Sequence, residues 1–405
     1  MHSEPILVIG GGLAAATCVT ALREHGYTGE LTLVSDEKHL PYERPPLSKD
    51  FLQGNSGLAD FTVADDDWYR THEVQLHLGV AAESIDRAGR TVQCTDGRIL
   101  EYGQLVLATG SRANTGQGLP GSELPGVHVL RTVDDARTLR QVLLEGTRVA
   151  IIGSGWIGME AAASARQRHA EVTVVSPSTT PLAAALGEGF GSYLTGLHRD
   201  AGVRLVLDTR VNRIEARGRE LILHAGDRQI SADTVLLAIG ASPNLELARD
   251  AGLETDDGVV TDASLRTSDG RILAIGDIAR SFNTRLRRQL RVEHWDNAIR
   301  QAKLAASTLT GGDAEYDWYP YFFTDQFDLG MEFVGHRLDG DTEVVRGNRQ
   351  EGQFIMFWLR EGRISAAMNV NIWDVNDSLR ALLGRQVAPD RLADTSIPLD
   401  QLADR

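Results

Sequence analysis

The chain opens with solid apolar runs, each followed by a glycine turn and then a helical period. Ile6–Gly10, ILVIG, is apolar and β-branched, the pattern of a parallel strand buried on both faces. A helical stretch, AAATCVTALREHG, follows and is expected to stop at Gly26, because glycine readily closes a helix. The next run, ELTLVSDE, reads as a second strand ending in Asp36 and Glu37. The same order returns at Arg148–Gly153 (RVAIIG), with a helix through MEAAASARQRH and a strand EVTVVS. Further on, EHWDNAIRQAKLAASTL reads as a helix beginning near Trp295. Beyond about residue 320 the rhythm changes: EFVGH and QFIMFWLR suggest antiparallel strands, and VNDSLRALLGR a helix.

The turns between strand and helix carry the chemistry. Gly10-Gly11-Gly12-Leu13-Ala14-Ala15 matches G-x-G-x-x-A. Gly10 permits the tight turn, Gly12 lets the backbone approach a pyrophosphate, and the small Ala15 lets helix and strand pack closely. The helix N-terminus presents free N–H groups and a positive dipole end to phosphates. An acid closing the second strand, Asp36 or Glu37, can hold a ribose hydroxyl pair. Gly153-Ser154-Gly155-Trp156-Ile157-Gly158 is a full G-x-G-x-x-G in the same setting. Two such units imply two dinucleotides, and the natural pairing for hydride chemistry is a resident FAD with an exchanging nicotinamide cofactor. The second unit ends its strand in Ser176 instead of an acid, and the following PSTTP holds no arginine. An acid would repel a 2′-phosphate and an arginine would attract it. The choice between NADH and NADPH therefore stays open, with a lean to NADH.

Composition narrows the alternatives. At 405 residues the chain is too long for one core. A net charge of −15 disfavours nucleic acid as the main partner. The two cysteines, Cys18 and Cys94, form no CxxC pair, which argues against a disulfide framework, a zinc ribbon or a dithiol redox centre. The eleven histidines show no HExxH-type spacing, so no metal site is expected. No apolar run reaches the roughly 18 residues of a membrane span. PILVIGGGLAAATCV lacks a basic n-region and is broken by glycines, so it does not read as a signal peptide. A cytoplasmic protein without membrane contact is expected.

PYERPPLSKDF, Pro41–Phe51, holds Arg44 and Lys49 on a stiff segment, since proline fixes its own φ and restricts the residue before it. That segment, with GGGLAAA, LVLATGSR, LRTVDDA, GSGWIGME, LLAIGASPN, LAIGDIAR, RVEHWDNA and FFTDQFDLGMEFVG in this order, resembles the FAD-containing, NAD(P)H-dependent ferredoxin reductases of bacterial oxygenase and cytochrome P450 systems. That group includes putidaredoxin and rubredoxin reductases and, more distantly, apoptosis-inducing factor. The resemblance runs nearly end to end.

The resemblance implies an α/β fold: two Rossmann-like dinucleotide-binding domains in a glutathione-reductase-like FAD/NAD(P) arrangement, plus a C-terminal α+β domain. The expected boundaries are 1–114 and 243–319 for FAD, 115–242 for NAD(P), and 320–405 for the last domain. It also implies roles. Lys49 would lie beside the isoalloxazine with Glu160 as its partner, Arg44 near the pyrophosphate or adenosine, and Asp277 on the flavin ribitol. Trp295 would contribute its backbone N–H at a helix N-terminus facing the flavin, its side chain being equally plausible as core. Ala14, Glu37, Val80 and Arg131 match positions lining FAD, although Ala14 and Val80 would otherwise read as ordinary core. Phe323 stands where the family often has tryptophan, and Gly240 lies in a matched motif of the NAD(P) unit.

The implied activity is hydride transfer from NADH (NADPH possible) to FAD, then single-electron delivery to a [2Fe–2S] ferredoxin or rubredoxin-type carrier. Arg285, Arg287, Arg288 and Arg291 in TRLRRQLR read equally as a docking patch for an acidic carrier and as a solvated loop. The rival readings are an NAD(P)H oxidase or quinone reductase and a redox-sensing, partner-binding flavoprotein. Monomer and homodimer are both compatible with the sequence.

Overall fold

The computed structural model describes residues 4–402. The elements used below are β1 (Ile6–Ile9), α1 (Leu13–Glu24), β2 (Leu31–Ser35), β3 (Val74–Leu78), β4 (Gln104–Leu107), β5 (Arg148–Ile152), α2 (Trp156–Gln167), β6 (Glu171–Val175), α3 (Ala183–Asp200), β7 (Arg204–Val206), β8 (Thr234–Leu237) and β9 (Ile272–Ala274). They continue with α4 (Trp295–Leu309), β10 (Tyr321–Gln326), β11 (Leu329–Gly335), β12 (Thr342–Asn348), β13 (Gln353–Arg360), β14 (Arg363–Val370) and α5 (Asn376–Leu382). The chain divides into two compact units. One holds the residues up to Arg44, Gly57–Arg112 and Ala241–Trp318; the other holds Pro45–Ser56, Ala113–Gly240 and everything from Tyr319 on.

The first unit is built on a parallel five-stranded sheet in the order β9-β4-β1-β2-β3. All four residues of β1 are buried, as its solid apolar run requires of a strand covered on both faces. Its neighbours β2 and β4 come from before and after the crossover, so strand order reverses at β1. The crevice beyond the carboxyl ends of such strands is where α/β sheets take ligands. Helix α1 buries Ala14, Ala15, Ala16 and Cys18, small side chains that let it lie close to the sheet, and it packs against α4.

The second unit repeats the plan. Its parallel sheet runs β7-β6-β5-β8 with the short strand Val127–His128 at the far edge, and order again reverses at the strand leading into the glycine turn. A second sheet in this unit is antiparallel, in the order β10-β11-β14-β13-β12. One face of it packs Phe333, Phe354, Met356 and Trp358 against Leu186, Phe190 and Leu194 of α3; α5 covers the other through Leu379 and Leu382. The strands and helices read from the sequence pattern are present, and the C-terminal residues form the expected antiparallel sheet with helices.

Candidate functional site

In the first unit the glycine turn joins β1 to α1. Gly10 has φ +128°, and a Cβ there would lie 2.1 Å from the Ala108 carbonyl oxygen, so only glycine fits without moving backbone. Gly12 differs: nothing lies within 4 Å of where its Cβ would be. It is the N-cap of α1, and no side chain caps that helix. An open, uncapped N-terminus beside a glycine is a cradle for a pyrophosphate. Ala15 is fully buried and Ala14 nearly so, and the Ala14 methyl lies 3.0 Å from the place a Cβ of Gly276 would take. Asp277 follows on the same short turn, tied down by Gly276 N–H donating to Gln301 Oε1 at 2.8 Å.

Beyond β2, Asp36 is exposed whereas Glu37 is half-buried. The Glu37 carboxylate accepts from the Tyr42 hydroxyl at 2.5 Å and from Arg44 Nη2 at 2.9 Å. Burial works against the Arg44 charge, but Tyr42, Glu37 and Asp277 outweigh it and hold its pKa above the ordinary value. Val80 is partly buried against the apolar core. Trp295 is the first residue of α4. Its indole N–H donates to Glu43 Oε2 at 2.9 Å, so its side chain has a polar task that the sequence reading left undecided.

The second unit holds the other cradle. Gly153 has φ +110°, and a Cβ would lie 2.2 Å from the Ala238 carbonyl oxygen; one on Gly158 would lie 2.3 Å from the Gly153 oxygen. Gly155, N-cap of α2, again faces open space and the helix has no side-chain cap. Ile157 is 42% exposed and Ile239 is 39% exposed, unusual for isoleucine and suited to a ligand's apolar face. Gly240 has φ +92°, and its carbonyl accepts from Asn114 N–H at 3.0 Å. Ser176 is buried, and its hydroxyl oxygen accepts from Ser154 Oγ at 2.8 Å and from Ser178 N–H at 3.2 Å. It is therefore committed to shaping the loop. The Arg131 backbone N–H donates to Asp135 Oδ2 at 3.0 Å, just before the helix Val133–Val142.

Lys49 and Glu160 meet in this same unit. Lys49 Nζ lies 3.6 Å from Glu160 Oε1 and 2.8 Å from Asp325 Oδ2, and 4.4 Å from the centre of the Phe323 ring, within cation–π range. Glu160 sits at the end of the first turn and a half of α2 and is only 6% exposed. Ser48 donates to its Oε2 at 2.5 Å and Thr324 to its Oε1 at 2.6 Å. Burial pushes the Glu160 carboxyl above its ordinary pKa, with Lys49 and the two hydroxyls pulling against that shift. Hydrogen bonds to a charged group are the strong kind, and an unpaired buried charge is costly.

The resemblance pairs Lys49 with Glu160 alone. The closer carboxylate is Asp325, and Ser48 and Thr324 complete the shell. All three lie in the stretches PPLSK and FFTDQF, but only the β10 register brings Thr324 to Glu160 and Asp325 to Lys49. Of the basic cluster, Arg285 pairs with Asp317 at 3.5 Å and Arg291 with Asp257 at 3.2 Å. The segment is a hairpin between the strands Ala279–Asn283 and Arg288–Arg291, with Arg287 exposed at its turn. Among the described residues no cluster of His, Cys, Asp and Glu could hold a metal ion, and no helix is long and apolar enough to cross a membrane. Cys18 and Cys94 are free and buried.

Residues 4–302 match the pyridine nucleotide-disulphide oxidoreductase family and residues 321–403 a reductase C-terminal family. The chain is 39% identical over 98% of its length to the ferredoxin–NAD(+) reductase component of the anthranilate 1,2-dioxygenase system of Burkholderia cepacia, covering 99% of that protein. It is 36% identical to the rhodocoxin reductase of Rhodococcus erythropolis, covering 97% of this chain and 93% of that one. Among solved structures, the ferredoxin reductase for the CYP199A2 system of Rhodopseudomonas palustris superposes with a TM-score of 0.94 at 35% identity, over 98% of this chain and 99% of the other. Putidaredoxin reductase in its covalent complex with putidaredoxin also gives 0.94, at 32% identity, over 99% of this chain and 98% of that one.

Proposed function

We propose, for a chain that belongs to the pyridine nucleotide-disulphide oxidoreductase family, that it is an FAD-dependent NAD(P)H:ferredoxin reductase. It takes reducing equivalents from NADH and passes them to a [2Fe–2S] ferredoxin or rubredoxin-type carrier that serves an oxygenase or P450. The observation that carries this reading is the end-to-end similarity to the Burkholderia reductase component, joined to two formed dinucleotide cradles. The cradles fit their ligands: Gly12 and Gly155 each leave space at an uncapped helix start.

When bound, FAD accepts a hydride and releases electrons singly, the conversion between a nicotinamide and an iron–sulfur carrier. The protein's part is binding and electrostatics. Gly10, Gly12, Ala14 and Ala15 shape the first cradle. Glu37 and Arg44 hold the adenosine half of FAD, and Asp277 and Trp295 its other half, with Val80 and Arg131 lining it. Gly153, Gly155, Ile157, Gly158 and Gly240 receive the nicotinamide cofactor. Lys49, Glu160 and Phe323 serve the hydride-transfer step, with Glu160 keeping Lys49 oriented. The first unit is the FAD domain, residues 113–240 the NAD(P) domain, and the residues after Tyr319 a C-terminal domain; the protein works in the cytoplasm. The locked Ser176 and the lack of arginine in PSTTP favour NADH.

Stopped-flow reduction with NADH and NADPH, then reoxidation by a panel of ferredoxins and rubredoxins, tests the proposal. The expected result is a yellow protein that is bleached faster by NADH and restored by a carrier within milliseconds to seconds. A colourless protein that takes up no FAD, or a reduced one restored only by oxygen or quinones, overturns it.

A further inference from the structure

The hydrogen bonds around Glu160 do not stop at Thr324. Gln326 Nε2 donates to Thr324 Oγ1 at 3.1 Å, and Gln326 Oε1 lies 2.8 Å from His198 Nε2. Thr324 and Gln326 sit two apart on β10 and face inward, while Asp325 between them is exposed, as the period of a strand requires. Thr324, Gln326 and His198 are each at most 1% exposed. His198 comes from α3, its ring edge-on to Phe327, and its Nδ1 has no hydrogen-bond partner.

We propose that His198, Gln326 and Thr324 form a directional hydrogen-bond relay that positions Glu160 as an ionised partner for Lys49. The direction follows from counting protons. An ionised Glu160 only accepts, so the single Thr324 hydroxyl proton points at Oε1. Thr324 Oγ1 must then accept from the Gln326 amide nitrogen. That turns the Gln326 oxygen toward His198, which must carry its proton on Nε2. The orphan atom left in the core is a lone pair on Nδ1.

Protonating Glu160 on Oε1 would reverse every bond: Thr324 would donate to Gln326, the amide would flip, and His198 would have to carry its proton on Nδ1. The orphan would then be a buried N–H donor, the rarer and costlier kind. Protonation on Oε2 instead would turn the Ser48 hydroxyl toward the Pro45 carbonyl, 3.4 Å away, a long bond. The buried end at His198 thus biases the charge at the far end. The chain is no proton wire, because an amide N–H in its middle does not ionise. The other charged groups facing Glu160 are Lys49 and Asp325. Burial also keeps His198 below its ordinary pKa and hence neutral.

The consequence for catalysis rests on the reading of Lys49 and Glu160 given above, but the test needs no turnover. Nitrogen NMR of histidine-labelled protein as purified, with the His198 signal identified as the one missing from His198→Gln, should show a neutral Nε2–H tautomer. Infrared titration of the Glu160 carboxyl, assigned by its loss in Glu160→Gln, should move up by about one to two pH units in Thr324→Val, the loss of one hydrogen bond to a charged group. Thr324→Ser should restore it, and Gln326→Leu should move it in the same direction by a smaller amount. An Nδ1–H tautomer, or a carboxyl whose titration is the same in Gln326→Leu as in the unsubstituted protein, overturns the relay. A protein that binds no FAD would instead overturn the functional reading and leave these signals to be measured.

Discussion

At Glu160 two opposed effects meet in one side chain. Burial raises the carboxyl's pKa, and Lys49 with the Ser48 and Thr324 hydroxyls lowers it. Removing the cation leaves burial less opposed. In Lys49→Met the Glu160 carboxyl should therefore titrate at higher pH than in the native protein. The rate of flavin reduction by NADH should fall about tenfold or more at neutral pH, because the cation that Glu160 holds in place is gone. Carboxyl infrared titration beside stopped-flow rates checks this; a slowed reaction with an unmoved carboxyl would mean that Lys49 acts without Glu160. The same neighbourhood shows what a residue-level reading misses. Lys49 and Glu160 are legible as a pair only through the family resemblance that their motifs carry. Asp325 at 2.8 Å was not, because nothing in a one-dimensional pattern says which strand residue will face a lysine 276 positions away.

At the scale of the element, the glycines of each cradle separate into two physical kinds. Gly10 and Gly153 have positive φ and would drive a Cβ into backbone. Gly12 and Gly155 have φ −92° and −79°, ordinary for any residue, and open space in front of them. Gly12→Ala should therefore fold, with a melting midpoint within a few degrees of native, yet lose FAD or bind it at least tenfold more weakly, since the methyl would fill the place proposed for the pyrophosphate. Gly155→Ala should keep its flavin and weaken NADH. Gly10→Ala should be destabilised by about 1–3 kcal/mol whether or not FAD is present. Thermal melts and flavin content together distinguish these outcomes. A Gly12→Ala protein that retains FAD at native affinity would remove the first cradle from the site.

For the whole molecule, the net charge of −15 sets the background against which any acidic carrier must approach. The basic hairpin is the local exception, although Arg285 and Arg291 are already engaged by Asp317 and Asp257. Attraction of a carrier would act through the exposed guanidinium groups of the hairpin, Arg287 and Arg288 among them, on encounter rate and screened over a Debye length of about 8 Å at physiological salt. Replacing both by alanine should lower the second-order rate of ferredoxin reduction several-fold at low ionic strength, with the difference vanishing at high salt and flavin reduction by NADH unchanged. A rate indifferent to both salt and substitution would make the hairpin an ordinary solvated surface.

What the sequence determined by itself was whatever rests on local covalent rules. ILVIG and RVAIIG read as buried strands from their solid apolar, β-branched runs, and Gly10 and Gly153 as the turn glycines that follow them. The two strand–glycine–helix fingerprints were readable from that, and the two cofactors from the fingerprints together with the resemblance. Only the tertiary structure decided the partners of side chains brought together from distant segments. It locked Ser176 onto Ser154, gave the Trp295 indole to Glu43, placed Pro45–Ser56 with the second unit, and set the β10 register that turns Thr324 and Gln326 inward. These depend on which surfaces meet in three dimensions, where burial and charge act over a few ångströms of space and not over positions along the chain.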